Sequence, residues 1–366
     1  MKKRMIMIIL TGCLFLFSAC GSVEETSVSA DIHQSVEDDI SYQNLEYNQA
    51  DNKLVLLDFS SNSTVKEIQF DDTEIIDSYD KITDGYAVVK STYAQDVNNA
   101  KEIDGIVISK SISDEKSAYE YISYDEQLQE TAVIDLKELI SEELLSEIQE
   151  GSCEPQIDPI GQKIAWSTES GIYVLNLNTG EQMVHEIEED EFTRCEISFV
   201  DENTVGFYRT TGDTTITTRY GYWDLVSNEL FYEDVNDYMP FSIRVSGEYF
   251  ILNDGEDETG TSSGKVLIYD CEKNQSTVIS VNNTESTLAF VTSDGKNLIA
   301  YSCTDEEQTE HKICVYELPS GECVSETPFT TTSRVLFDNF SNIDNMYLLI
   351  GIGDTGKVVY DVFTTQ

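Results

Sequence analysis

The strongest constraint on the fold is one pattern that returns along most of the 366 residues. Each copy has an apolar run typical of a β-strand, an aromatic residue or Leu, a short polar residue, and a turn. Clear copies are IYVLNLNTGE (172–181), YGYWDLVSNE (220–229), VLIYDCEKNQ (266–275) and CVYELPSGEC (314–323). The short polar anchors lie at Asp58, Asp125, Asn176, Asp224, Asp270, Glu317 and Asp361, at spacings of 67, 51, 48, 46, 47 and 44. A period of this length indicates one supersecondary unit per copy.

Turn chemistry at the fourth position after the anchor indicates a hairpin in most copies. That position is Gly or Asn in five of the seven: Asn62, Gly180, Asn228, Asn274 and Gly321. A three-residue hairpin with a bulge needs a left-handed residue there, which Gly and Asn tolerate best. Another strand with its own turn precedes the anchor strand, as in DPIGQKIAWS and VSGEYFILN. This order predicts an all-β β-propeller with seven four-stranded blades, with six or eight blades left open.

The stretch DPIGQKIAWSTESGIYVLNLNTGE (158–181) resembles the repeats of TolB-type and related WD-like propellers. The resemblance extends over residues 41–366, is looser before residue 120, and implies a fold rather than a function. Two departures stand out: the usual Ser-Pro-Asp-Gly turn is Asp-Pro-Ile-Gly here, and about 20 extra residues lie near 91–118. Because propellers leave few edges unpaired, we expect residues 41–49 to complete a blade with the strand around Asp361.

One segment has helical rather than strand periodicity. Apolar residues recur at helical spacing from Leu136 to Ile148, and Gly151 is a C-terminal stop signal. The pattern predicts an amphipathic helix near residues 137–149, inserted between two blades. We expect its apolar face to pack against the propeller, with docking of a partner as the alternative.

The first twenty residues have the layout of an export signal. Basic residues at positions 2–4 precede an apolar run from Met5 to Phe17 that is too short to span a bilayer. The stretch resembles a bacterial lipoprotein signal, which implies a diacylglyceryl thioether on Cys20 and fatty acyl chains such as palmitate. Cys13 also fits the lipidation pattern, but cleavage there would leave an exposed apolar end. The sequence therefore predicts a signal peptide at 1–19, a lipidated flexible tether at 20–40 and a propeller domain at 41–366, displayed outside the cell membrane.

Charge narrows the classes of partner. The chain has 69 acidic and 22 basic residues, a formal net charge of −47. Such a chain repels nucleic acid, so that class of partner is excluded. An anionic bilayer is repelled as well, so contact with the membrane is expected through the lipid alone. The remaining partners are a protein or a small ligand.

Acidic loops and cysteines offer only weak site signals. The clusters 254–258 and 305–307 precede successive anchor strands, and solvated loops or a weak calcium site both fit their composition. Neither contains the EF-hand spacing, and we predict no structural metal or other cofactor. Six cysteines follow Cys20; if any two form a disulfide, Cys303 and Cys314 are the preferred pair, and buried free thiols are the alternative.

Arginines are scarce enough to be informative. Arg194 and Arg334 each lie seven residues before the turn that enters the second strand of a unit. Equivalent positions at the start of the innermost strand predict that both line the central channel. They are candidates for ligand binding, because two guanidinium groups can hold a carboxylate or phosphate; charge balance for channel acids is the alternative.

No catalytic residue is assigned from the sequence. The stretch Gly260 to Gly264 matches G-x-S-x-G, but a polar loop precedes it and a strand follows, unlike a hydrolase nucleophile elbow. We therefore predict a binding or scaffolding module. The alternative is an envelope enzyme that acts on glycan or peptide through carboxylates at the channel mouth.

Overall fold

The structure is a computed structural model. It describes residues 43–48, 51–58, 63–94, 101–103, 106–108, 116–150, 154–186, 192–211, 216–240, 242–253, 264–281, 287–292, 294–303, 309–331, 335–343, 346–353 and 358–364. These residues divide into two compact units. The first comprises Gln43–Asp58 and Ser63–Asp237, and the second begins at Tyr238.

The first unit contains seventeen of the described strands and the helix. Its strands are β1 Gln43–Asn48, β2 Lys53–Asp58, β3 Ser63–Gln69, β4 Glu74–Ile82, β5 Gly85–Tyr93, β6 Lys101–Ile103, β7 Ile106–Ile108, β8 Lys116–Tyr124, β9 Glu130–Asp135, β10 Gln156–Ile157, β11 Lys163–Ser167, β12 Gly171–Asn176, β13 Gln182–Glu186, β14 Phe192–Asp201, β15 Thr204–Thr211, β16 Thr217–Asp224 and β17 Glu229–Asn236. They form the sheets β1-β2-β3, β4-β5-β8-β9, β10-β11-β12-β13 and β14-β15-β16-β17, with β6 and β7 as a separate hairpin.

The second unit repeats the same arrangement. Its described strands are β18 Ser242–Ser246, β19 Tyr249–Asn253, β20 Lys265–Asp270, β21 Gln275–Ser280, β22 Thr287–Val291, β23 Asn297–Cys303, β24 Glu310–Glu317, β25 Glu322–Thr330, β26 Val335–Ile343, β27 Met346–Gly353 and β28 Val358–Thr364. They form the sheets β18-β19-β20-β21, β22-β23-β24-β25 and β26-β27-β28. Neighbouring strands are antiparallel in every sheet, so each sheet is an up-and-down meander.

A succession of four-stranded antiparallel meanders is the blade repeat of a β-propeller, which confirms the predicted fold. The prediction of seven four-stranded blades is wrong. Among the described residues only five sheets have four strands, and the sheets β1-β2-β3 and β26-β27-β28 have three each. Asp58 ends β2, whereas the five anchors from Asp125 to Glu317 each end or directly follow the third strand of a sheet. The sheet β1-β2-β3 therefore corresponds to the second, third and fourth strands of a blade.

The expected pairing of residues 41–49 with the strand around Asp361 is also wrong for the described residues. Strand β1 pairs along its whole length with β2, from Gln43 opposite Asp58 to Asn48 opposite Lys53. Its sheet does not contain β28. The short turn between β1 and β2 explains this pairing, because adjacent antiparallel strands joined by a tight turn pair at little cost in loop entropy.

The predicted hairpin turns are confirmed where the structure describes them. The fourth residue after the anchor has φ of 68° at Gly180, 57° at Asn228, 51° at Asn274 and 70° at Gly321. Asn62 lies outside the described residues. Left-handed backbone at these points lets the third and fourth strands of these four blades meet through a short loop.

The helix is present, but it begins later than predicted. A 3-10 turn occupies Leu136–Glu138, and the α-helix α1 spans Glu142–Glu150. Its start is set by Ser141, whose Oγ accepts a hydrogen bond from the backbone N–H of Leu144 at 3.1 Å. The expected packing is confirmed: the buried side chains of Leu144 and Ile148 share one apolar cluster with Trp166 of β11. No helix of the described residues is long and apolar enough to cross a membrane.

The preferred disulfide is not formed. Cys303 and Cys314 are both free thiols. Ala300 lies opposite Cys314, and His311 lies opposite Cys303. Because side chains alternate between faces along a strand, residues 300 and 303 point to opposite faces, and so do the two thiols.

Candidate functional site

The two ends of each blade differ in the length of their connections. At one end, which we call the turn end, the first strand meets the second and the third meets the fourth through short turns. At the other end, which we call the polar end, the second strand finishes and the third begins. The connections there run over residues 94–115, 168–170, 212–216, 254–264 and 304–309. Loops of variable length on a constant frame are where binding residues are usually found.

Buried polar side chains concentrate at the polar end. Of the twelve that are buried among the described residues, eight lie where a second strand ends or a third begins: Ser91, Lys116, Thr168, Thr210, Thr218, Asn253, Ser302 and His311. Every four-stranded sheet contributes at least one. Burying a polar group costs free energy unless it is hydrogen-bonded. Their concentration at one end, and not at the turn end, marks the polar end as a candidate functional surface.

A buried ion pair lies at the polar end of the sheet of β4, β5, β8 and β9. The Nζ atom of Lys116 lies 3.5 Å from Oδ2 of Asp77, and the Lys116 side chain is only 9% exposed. The Ser91 hydroxyl donates a hydrogen bond to the same carboxylate oxygen. The Lys116 ammonium also lies 4.4 Å from the centre of the Tyr119 ring. The Lys116 ammonium is therefore held both by the Asp77 carboxylate and by the face of the Tyr119 ring.

Two β-bulges create this cluster. Asp77 is an extra residue between Ile76 and Ser78, which pair with β5. Ser117 is likewise extra, because Thr92 and Tyr93 lie opposite Ala118 and Lys116. A bulge changes the direction of neighbouring side chains and is often found beside functional sites. Here the bulges lie at the same end of the sheet, on the strands that carry the ion pair.

The protonation of this cluster is shifted by its surroundings. Burial raises the pKa of Asp77 above its ordinary value, although Lys116 and the Ser91 hydroxyl oppose the shift. Burial, and then the charge of Asp77, raises the pKa of Tyr93. A carboxyl group that keeps its proton to higher pH than usual is one signature of a functional site.

Polar contacts at this end also join neighbouring sheets within each unit. The Trp166 indole donates a hydrogen bond to the Tyr119 hydroxyl at 2.9 Å, and the Ser167 hydroxyl donates to the Cys195 thiol. In the second unit, Asn253 Oδ1 accepts from the backbone N–H of Ala289 at 3.1 Å. Such contacts fix the relative positions of adjacent blades, so the polar end is a rigid surface within each unit.

A buried histidine lies at the polar end of the second unit. His311 begins the third strand of its sheet and is 1% exposed. Its Nδ1 is 3.0 Å from the Tyr301 hydroxyl, and its Nε2 is 3.1 Å from the Thr331 hydroxyl. The ring stacks on Phe329 at 5.0 Å between centres. Both ring nitrogens therefore have partners within the fold.

Of the residues predicted from sequence to bind a ligand, Arg194 is described by its backbone position alone. It lies near the start of β14, the first strand of its sheet, with Thr210 opposite it. This places its backbone at the polar end, as the predicted innermost-strand position requires. Arg334 and Cys20 lie outside the described residues. The acidic clusters at 254–258 and 305–307 fall in polar-end connections, also outside the described residues, and no metal-binding group of His, Cys, Asp and Glu is found in the part that is described.

Sequence reasoning missed Asp77, Ser91 and Lys116. The three residues lie at different distances along the chain from the anchor of their repeat. The meeting of Asp77 with Lys116 also depends on β-bulges, which the alternation of apolar and polar residues does not reveal. One signal was available: Lys116 is a rare cation in a strongly acidic chain, and it begins the apolar-rich strand KSAYEYISY. A lysine at a strand start beside an insertion was a reasonable candidate.

Comparison with known proteins assigns the chain to no family. No protein-family model and no curated protein matches the chain. Among solved structures, the chain is similar to the β-propeller domain of the Trilobed protease from Pyrococcus furiosus, at 12% identity and a TM-score of 0.47, covering 81% of this chain and 83% of that one. It is also similar to the dihydro-heme d1 dehydrogenase NirN, at 9% identity and a TM-score of 0.45, covering 90% and 75%.

A eukaryotic initiation factor is similar at 10% identity and a TM-score of 0.39; the match covers 78% of this chain and 62% of the factor. These likenesses concern the backbone alone. The class of protein is defined by the repeated antiparallel meanders of the chain itself, which are those of a β-propeller.

Proposed function

We propose that this protein is a lipid-anchored binding module on the outer side of the bacterial cell membrane, and that its propeller binds a protein or small ligand at the polar end. The observation that carries the proposal is the clustering of eight of the twelve described buried polar side chains at that end. Connections of variable length emerge at the same end. Rigid blades with variable loops suit recognition better than structural support alone.

Anchoring is supported by the first twenty residues. Three basic residues, an apolar run too short to span a bilayer and the small pair before Cys20 are what a lipoprotein signal requires. The acidic tether at 21–40 is too polar to form a packed core. It would hold the propeller away from an anionic surface that repels a chain of net charge −47.

The test is capture of partners from native envelope by the full lipidated protein. Ser117→Tyr and Ser170→Tyr place bulky groups at exposed polar-end positions, whereas Thr179→Tyr and Ser227→Tyr place the same group at exposed turn-end positions. We expect the polar-end variants to lose captured partners and the turn-end variants to keep them. Equal capture by all four variants, with unchanged melting temperatures, would exclude the polar end as the binding surface.

A second candidate is an enzyme that acts on envelope glycan or peptide. The observation that favours it is Asp77, because a partly buried carboxyl group with a raised pKa suits proton donation. Incubation with purified bacterial cell-wall material, followed by assay of new reducing ends and new amino groups, tests this candidate. Turnover that disappears in Asp77→Asn would favour the enzyme, and no turnover by the native protein would leave the binding module.

A further inference from the structure

The outer strands of the blades differ in how their edges are protected. An edge strand presents backbone N–H and C=O groups that pair readily with another chain, and charged residues, proline or a bulge oppose such pairing. Six described sheets end in a fourth strand of a blade: β3, β9, β13, β17, β21 and β25. Five of these strands contain an exposed glutamate: Glu67, Glu130, Glu186, Glu233 and Glu326. Addition of a foreign strand is therefore opposed at five of the six edges.

Strand β21 has none of these protections. Its sequence QSTVIS contains no charged residue and no proline. It pairs with β20 in unbroken register, from Gln275 opposite Asp270 to Ser280 opposite Lys265, without a bulge. Among the described residues β20 is its one strand partner, so β21 ends the sheet. A regular and uncharged edge of this kind suits an incoming strand.

The side chains of β21 also favour pairing with another strand. Thr277, Val278 and Ile279 are consecutive β-branched residues, which favour extended backbone. Ile279 is buried in the apolar cluster of the second unit, which fixes the covered face of the strand. Val278 points to the other face and is 50% exposed. The edge therefore offers an added strand both backbone hydrogen bonds and an exposed apolar contact.

We propose that the outer edge of β21 accepts an extended segment of a partner protein rich in lysine and arginine, which adds to the blade as a fifth strand. Backbone hydrogen bonds supply the attraction, and Val278 selects an apolar residue at one position of the segment. The charge of the chain decides the kind of partner. Two copies of a chain of net charge −47 repel each other, and an acidic segment is repelled as well, whereas a basic segment is attracted. This edge is a different surface from the polar end, so the interaction goes beyond the function proposed above.

The test uses synthetic peptides long enough to cover the six residues of β21, titrated calorimetrically into the native protein at physiological ionic strength. The first peptide alternates lysine and valine. The second has the same sequence with methyl groups on its central backbone nitrogens, so it keeps every charge and side chain but cannot pair as a strand. The third replaces lysine by glutamate. We expect only the first peptide to bind, and hydrogen exchange of the backbone amides in residues 275–280 to slow when it does.

Val278→Glu separates strand addition from simple attraction between charges. The added carboxylate would strengthen a purely electrostatic attraction of the basic peptide, but it removes the apolar contact and protects the edge. We expect Val278→Glu to weaken binding by about tenfold or more. Val184→Glu is the matched control, because Val184 is a valine of the outer strand β13 with a similar exposure of 43%, and binding should be unchanged. Melting curves confirm that both variants are folded; if Val278→Glu is not, Ser280→Glu at another exposed position of β21 carries the test.

Three results would overturn the proposal: no binding of the first peptide to the native protein, equal binding of its methylated form, or undiminished binding by the folded β21 variant. Sedimentation of the native protein and of Val278→Glu tests for a second copy at the edge. A native dimer that this substitution dissociates would identify that occupant and overturn the basic partner. Capture of partners through the polar end is measured with other variants, so that function can stand while this edge fails.

Discussion

The ammonium group of Lys116 lies 3.5 Å from Oδ2 of Asp77, between two β-bulges of one blade. Removing one member of a buried ion pair leaves the other charge without compensation, which costs more than the pair itself contributes. The pair therefore makes the polar end sensitive to substitution.

We expect Lys116→Met to lower the free energy of unfolding by about 2–4 kcal/mol at pH 7, because among the described residues Asp77 then keeps only the Ser91 hydroxyl as a partner. The loss should be smaller at acid pH, where Asp77 takes up a proton. Denaturant unfolding followed by circular dichroism at both pH values measures the effect. Lys273→Met, which removes the ion pair of an exposed lysine with Asp270, is the control and should change stability far less than Lys116→Met. An equal loss in both variants would contradict the buried pair.

The stability of the fold should depend on pH through Asp158, which lies in the turn between β10 and β11. Its side chain is fully buried, and Oδ1 accepts hydrogen bonds from the backbone N–H groups of Gln162 and Lys163. Oδ2 has no hydrogen-bond partner among the residues that the structure describes. Burial raises the pKa of this carboxyl group above its ordinary value. The folded state therefore holds the proton to higher pH than the unfolded chain, and this group's contribution to stability falls as pH rises above about 4.

Asp158→Asn keeps an oxygen for both backbone donors and cannot ionise. We expect the variant to gain stability relative to the native protein between pH 4 and pH 7, as the native carboxyl group loses its proton. Asp158→Ala should instead lose about 1–2 kcal/mol at both pH values, because the turn loses its acceptor. Urea unfolding of the three proteins across this range supplies the comparison. A constant difference between the native protein and Asp158→Asn would show that Asp158 does not titrate there.

The cysteines should differ sharply in reactivity. Burial raises the pKa of both Cys195 and Cys314 to about 11, whereas Cys323 is exposed. Only about one in a thousand molecules would have either buried thiol ionised at pH 8, and the thiolate is the reactive form. We expect an alkylating reagent to modify Cys323 in the native protein and the two buried thiols only after unfolding. Peptide mapping by mass spectrometry reads out each site, and early labelling of Cys314 would contradict its burial.

Lipid attachment is predicted at one position. Cys20→Ala should release the protein from the membrane fraction, because the thioether is expected at no other residue. Cys13→Ala should be processed like the native protein. Mass spectrometry of the mature N-terminal peptide decides between the two cysteines, and a diacylglyceryl group on Cys13 would show that the export prediction is wrong.

The sequence alone was sufficient for the blade repeat, since the cues involved are local. Alternating apolar runs indicate strands, and a Gly or Asn such as Gly180 or Asn228 enforces a left-handed turn whatever surrounds it. The packing of the helix was also predictable, because one apolar face must be covered. Its start was not, because Ser141 begins the α-helix through an N-terminal cap that the apolar periodicity does not reveal.

Tertiary structure decided the strands at the chain ends and the residues of the site. Pairing of β1 with β2 is a choice between possible neighbours, and period-two alternation is compatible with any of them. The meeting of Asp77 with Lys116 depends on two bulges. A shift of one residue would place these charges on opposite faces, so only the assembled sheet determines which side chains act together.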